Sequence, residues 1–120
     1  MKILILPGDG IGPEIMAATM TALNALNDKH ALKLDFEAHA VGLPALEAGG
    51  STFSDDLLDR IRAAEGTILG PCDTYAYPPK QEGGVNPSAT IRKELDLFAN
   101  IRPSRSRKGV PSAAAGMDLV

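Results

Sequence analysis

Tryptophan is absent from these 120 residues, which hold only three Phe and two Tyr, so any core must be largely aliphatic. A single cysteine, Cys72, excludes an internal disulfide and fits a reducing, cytoplasmic setting. No apolar run approaches the roughly 20 residues that span a bilayer, and Met1-Lys2-Ile3 leads straight into a strand rather than a signal peptide. Neither sign of charge dominates. A formal net charge of -3 argues against non-specific attachment to nucleic acid or an anionic membrane. The two histidines, His30 and His39, have no Cys or His partners at ligand spacing, which argues against a zinc site. What remains has the make-up of one soluble globular domain, 44% hydrophobic and 22% charged.

The pattern along the chain alternates strand and helix. Lys2–Leu6 is a near-continuous apolar run, as in a parallel strand covered on both faces. Pro7–Gly12 turns the chain, and Pro13 suits the first position of a helix carrying Ile15, Met16, Thr19, Ala22, Leu23 and Leu26 on one side. Leu32–Val41 alternates apolar and polar residues, which predicts an edge strand with one wet face. Gly42–Thr52 reads as an irregular connection with a short helical turn. Ser54 is the expected N-cap of a helix over 55–64, and Gly66–Gly70 the next buried strand. A long loop fills 71–86, a length that in compact domains goes with function or with disorder. Pro87 opens a helix to about Leu95, and Leu97–Ile101 is expected to return as a strand. Met117–Val120 begins another apolar run. The order β-α-β-α-β-α-β implies an α/β fold: an open, mainly parallel sheet with helices on both faces.

Five features bear on chemistry. Gly8-Asp-Gly-Ile-Gly12 resembles a dinucleotide fingerprint but has Pro13 where the third glycine belongs, so it reads as a tight strand-to-helix turn. Cys72 stands in the long loop without a placed base, and Asp55, Asp56 and Asp59 fit a helix start better than a metal site. The basic run 102–108 lacks the interleaved aromatics of a nucleic-acid surface. Arg92 and Arg102 are the informative pair. Planar guanidinium forks bind carboxylates bidentately, and two at one cleft mouth would suit a di- or tricarboxylate. The alternative for both is an ordinary exposed arginine.

Taken in order, Gly8-Asp-Gly-Ile-Gly-Pro-Glu14, Leu69-Gly-Pro71 and Arg92-Lys-Glu-Leu-Asp-Leu-Phe-Ala-Asn-Ile-Arg-Pro103 resemble the isocitrate/isopropylmalate dehydrogenase family of β-decarboxylating dehydrogenases. The resemblance runs over essentially all of residues 1–120. It implies that Arg92 and Arg102 hold the carboxylates of a 2-hydroxy acid, with Asn86 and Ser88 beside them. It also implies that Asp73, Thr74 and Ile11 face a nicotinamide cofactor, NAD in preference to NADP, and that Mg2+ or Mn2+ takes part. The partners implied are a small 2-hydroxy acid and, for a full-length protein, a second subunit in a homodimer.

Gly116-Met-Asp-Leu-Val120 is similar to the lead-in to a later family segment. By that comparison the family's third arginine, catalytic tyrosine and lysine, and metal-binding aspartates have no counterpart in 1–120. The chain is then expected to be an N-terminal portion, truncated at its C-terminus and inactive alone, with no catalytic residue and no metal ligand of its own. Ser88 and Ala89 replace the leucine pair of isopropylmalate enzymes, and Leu69 replaces a lysine of many isocitrate enzymes, so malate-, tartrate- and homoisocitrate-like acids stay open. The competing class is a non-catalytic carboxylate-binding module or a decayed gene product.

Overall fold

A computed structural model describes all of residues 1–120. Its centre is a three-stranded parallel sheet, β1 (Lys2–Leu6), β2 (Asp35–Ala38) and β3 (Gly66–Leu69), in the order β2-β1-β3. β1 lies in the middle, as its unbroken apolar run requires. Registers such as Leu4 opposite Glu37 and Thr67, and Leu6 opposite Leu69, put these side chains on one face. On that face Leu4, Leu6, Val41 and Phe53 pack with Leu57 and Ile61 of α3 (Leu57–Ala63). Leu4, Leu6 and Leu57 are wholly buried, each contributing about 2 kcal/mol.

Chain direction places the other helices. α1 (Gly12–His30) connects β1 to β2 in one direction across the sheet, while α3 lies in the connection that returns past β1 to β3. Right-handed crossovers in opposite directions put α1 and α3 on opposite faces. Ile5, on the α1 side of the alternation, is 3% exposed. α4 (Pro87–Glu94) shares the α3 face, because its Ile91, with the following Leu95, packs against the same cluster as Leu69.

Several sequence expectations are corrected. α1 runs to His30, four residues past Leu26, and of its apolar stripe only Met16 is buried; Ile15 and Leu26 stay exposed. β2 is shorter than 32–41 because Lys33 adopts φ 58° and the Asn27 side chain takes both backbone groups of Leu34. Residues 43–49 form a true helix, α2 (Leu43–Gly49), opened by Pro44. Ser54 does not cap α3: its hydroxyl donates to Asp56 Oδ1 at 2.7 Å, and the helix starts later, after Asp56. β3 is half-buried rather than buried. Leu97–Ile101 is not a strand but an exposed extension. Beyond it, β4 (Ser104–Arg105) and β5 (Asp118–Leu119) pair antiparallel, so the apolar run at the end does begin a strand.

A surface chain of charge ties the polar edge together. Glu37 of β2 meets Lys2 at 2.6 Å and Arg60 at 3.1 Å, and Arg60 Nε donates to Asp56 at 2.6 Å. The bond from Arg60, then that from Ser54, hold the Asp56 carboxyl down to about 2. The bond from Lys2 likewise lowers that of Glu37. No helix is long and apolar enough to cross a membrane.

Candidate functional site

After β1 the chain turns to α1 on one face; after β3 it leads to α4 on the other. Neighbouring strands whose outgoing connections part in this way leave a crevice between their carboxyl ends, the usual ligand position in open α/β sheets. Here the crevice is built from 7–12 and 70–77.

Asp9 holds these loops together. It is 4% exposed, and its Oδ1 accepts from Asp73 N at 2.5 Å. Its Oδ2 accepts from Leu43 N at 2.9 Å and from the Tyr77 hydroxyl at 2.6 Å. One buried carboxylate thereby fixes the β1 loop, the start of α2 and both ends of 73–77. Two glycines make room. Gly8, at φ 79°, has the Pro71 carbonyl where a Cβ would stand, and Gly42, at φ 78°, has Asp9 Oδ2 there. Burial, and then the bond to Asp9, push the Tyr77 hydroxyl well above the ordinary tyrosine range; burial also raises the Cys72 thiol, which makes it a poor nucleophile. The sequence reading of 8–12 as a tight turn was right but missed Asp9. The available signal was an acid between two glycines directly after a buried strand.

Beside this latch opens a cavity of about 430 Å³, lined by Leu69, Pro71, Cys72, Thr74, Asn86 and Ser88 among others. It joins Thr74, expected at the cofactor, to Asn86 and Ser88, expected at the substrate. Asn86 caps α4, its side chain accepting from Ala89 N at 3.1 Å, so the cavity also sees a helix N-terminus. Leu69 and Ser88 line a second cavity, of about 480 Å³, which extends along α4 to Arg92. Ser88 and Arg92 stand four apart on α4 and so share a side of it.

The other expected residues are placed less closely. Arg102 is exposed beyond α4, donating to Asn100 Oδ1 at 3.2 Å, and lines neither cavity. The strand expected to carry it back is missing, so the structure does not bring Arg92 and Arg102 together. Asp73 meets Asp9 through its backbone, with its side chain exposed; Ile11 precedes α1 and is 59% exposed.

The profile of the isocitrate/isopropylmalate dehydrogenase family matches residues 2–118. The chain belongs to this family. It is 37% identical to the 3-isopropylmalate dehydrogenase of Pseudomonas fluorescens (strain Pf0-1), over 99% of this chain and 36% of that protein. It is also 37% identical to the corresponding enzyme of Chlorobaculum tepidum, over 87% of this chain and 30% of that one. The crystal structure of isocitrate dehydrogenase from Methylococcus capsulatus superposes with a TM-score of 0.80 at 32% identity, covering 98% of this chain and 32% of that structure. A β-decarboxylating dehydrogenase from Thermococcus kodakarensis, in its apo form, gives 0.72 at 30% identity, over 88% and 30%. The chain thus spans about a third of the length of the relatives it matches.

Family members use NAD(P), a divalent metal and small hydroxy-acid substrates. The fit of a divalent cation to these residues fails: no three His, Cys, Asp or Glu side chains converge as ligands. The nicotinamide group fares better, since the cavity at Thr74 combines an apolar wall of Leu69 and Pro71 with hydroxyl and amide groups.

Proposed function

We propose that residues 1–120 form the N-terminal, substrate-facing portion of an NAD(P)-linked oxidative decarboxylase of a 2-hydroxy di- or tricarboxylic acid. One observation carries this reading: the cavity holding Thr74, Asn86 and Ser88 shares Leu69 and Ser88 with a second cavity that reaches Arg92. A polar substrate with a carboxylate at one end matches that succession. Arg92 would bind the carboxylate as a two-pronged donor, and Ser88 and Asn86 would bond to hydroxyl or carboxyl oxygens nearer the crevice. Arg102 would take a second carboxylate. Their work is orientation, which lowers the barrier by fixing the reacting carbon before chemistry starts.

Asp73 and Thr74 would contact the nicotinamide, with Ile11 packing against the nucleotide; NAD is preferred over NADP. When bound, that cofactor accepts the hydride of the substrate's carbinol carbon. Residues 1–120 alone are expected to show no turnover. The complete protein would be a cytoplasmic homodimer.

The test is kinetic. In the full-length natural polypeptide, reduction of NAD and NADP is followed with isopropylmalate, isocitrate, homoisocitrate, malate and tartrate. With the accepted acid, Arg92→Ala and Arg102→Ala each lower kcat/KM by about a hundredfold, as loss of a charged bidentate contact does. Unchanged kinetics in either variant would remove that arginine from the site.

A further inference from the structure

Two polar residues are buried: Asp9, which holds the crevice loops, and Thr52, which has no exposure at all. Thr52 stands in the connection between α2 and α3 and lines neither cavity. A buried hydroxyl is costly unless its hydrogen bonds are made, and those of Thr52 all go to one distant segment. Its Oγ1 accepts from Val85 N at 2.7 Å and donates to Val85 O at 2.7 Å, with Gly83 O at 3.2 Å. Thr52 N donates to Gly83 O at 2.9 Å. One threonine thus takes both backbone groups of Val85 and the carbonyl two residues before it.

Residues 83–85 close the long loop, whose one regular element is a 3-10 turn at Lys80–Glu82. Gly83, at φ 92°, has the Gly50 carbonyl where a Cβ would stand, so the loop lies flush against the segment that carries Thr52. Val85 packs on the central cluster and Pro87 is wholly buried. Between these anchors stands Asn86, which caps α4 and borders the cavity of about 430 Å³ together with Ser88. The apolar contacts of Val85 and Pro87 are non-directional, whereas the bonds from Thr52 are directional and so set the register of this stretch. On its other side Thr52 O accepts from Gly42 N at 2.8 Å, and the next residue, Leu43, gives its N–H to Asp9. Thr52 therefore stands between the loops that Asp9 holds and the start of α4.

We infer that Thr52 is a positioning residue, whose hydroxyl sets where Asn86 and Ser88 meet the substrate. It touches no ligand and acts through those two side chains. The inference rests on the function proposed above for the identity of the ligand, a hydroxy acid; the hold on Val85 does not. Thr52→Val keeps the shape of the side chain but leaves the Val85 N–H and C=O without their partner, and the segment must shift to bond elsewhere. A misplacement of about 1 Å is enough to impair a positioned contact. Thr52→Ser keeps the hydroxyl. In both variants residues 73–77 retain their bonds to Asp9, so the effect falls on the acid and not on the nicotinamide.

The test uses the full-length natural polypeptide and the accepted acid. Thr52→Val raises KM for the acid about tenfold while KM for the cofactor stays within about twofold, and Thr52→Ser restores the acid KM. A merely structural role would reduce the folded fraction, lowering apparent kcat and leaving both KM values alone. Hydrogen exchange at the Val85 amide is the second measurement: slow in the parent, it becomes about a hundredfold faster in Thr52→Val. A Val85 amide that exchanges freely in the parent overturns the inference, even if the valine variant does not fold. An acid KM unchanged in Thr52→Val but raised in Asn86→Ala also overturns it, as does a serine variant as impaired as the valine. An acid KM indifferent to Asn86→Ala and Ser88→Ala overturns the function proposed for this cavity instead; the hold of Thr52 on Val85 then stands or falls by exchange.

Discussion

The acid between Gly8 and Gly10 does more for the crevice than the glycines that drew attention to the motif. A carboxylate buried to this degree is tolerable only when its oxygens are bonded, and Asp9 receives two backbone N–H groups and a phenol. That arrangement makes Tyr77 a titratable reporter. Its folded-state pKa is raised, by burial first and by Asp9 second, above the ordinary value of 10.0. A raised folded value stabilises the fold fully below the unfolded pKa; the contribution is lost as pH climbs beyond it, because the unfolded chain releases a proton that the fold retains. The expectation is a stability that declines above about pH 10, with the Tyr77 phenol ionising only as the chain unfolds. Tyrosinate absorbance followed alongside circular dichroism checks it. Asp9→Asn should bring the Tyr77 step down and cost about 3 kcal/mol. A Tyr77 phenol that ionises well before unfolding would show that it is not held as described.

Among the elements, those legible from sequence are the ones whose signals are local. β1 follows from an unbroken apolar run, and α1 and α4 from a proline at the start of each. Asn86 is a cap that the sequence reading valued for substrate binding instead, and both roles are open to it because its amide lies at the cavity wall. Asn86→Ala should therefore destabilise the fold by about 1 kcal/mol, read from urea denaturation. A variant as stable as the parent would deny the cap. What the sequence did not disclose depends on partners. Leu97–Ile101 has strand composition, yet a strand exists only against a neighbour, and none is supplied within the chain's own sheet. Ser54 lost its expected role because Asp56 competes for its hydroxyl, a contest that propensity does not describe. The cavity at Thr74, Asn86 and Ser88 was legible only through the family resemblance, since 71–86 carries no periodicity to fold by eye. Arg92 and Arg102 were legible as residues, but not their separation.

At the scale of the whole molecule, stability and shape belong to different parts of the chain. Only 16 of the 120 residues are buried, and the apolar cluster at the centre comes from residues 4 to 61. The radius of gyration is 16.5 Å, larger than the roughly 13–14 Å of a compact chain this long. The excess comes from the end of the chain. From 99 to 120 every residue but Ser106 and Met117 is exposed, and β4 and β5 pair only with each other. The Arg105–Asp118 ion pair, at 2.8 Å, joins the two strands of that ribbon and nothing else. A ribbon that buries little and bonds to itself cannot lend stability to the sheet. Deleting 103–120 should shift the unfolding free energy by less than about 0.5 kcal/mol, the range of surface changes. Chemical denaturation of both forms decides the point. A loss of several kcal/mol would mean that the ribbon packs on the α/β body and is part of one cooperative unit with it.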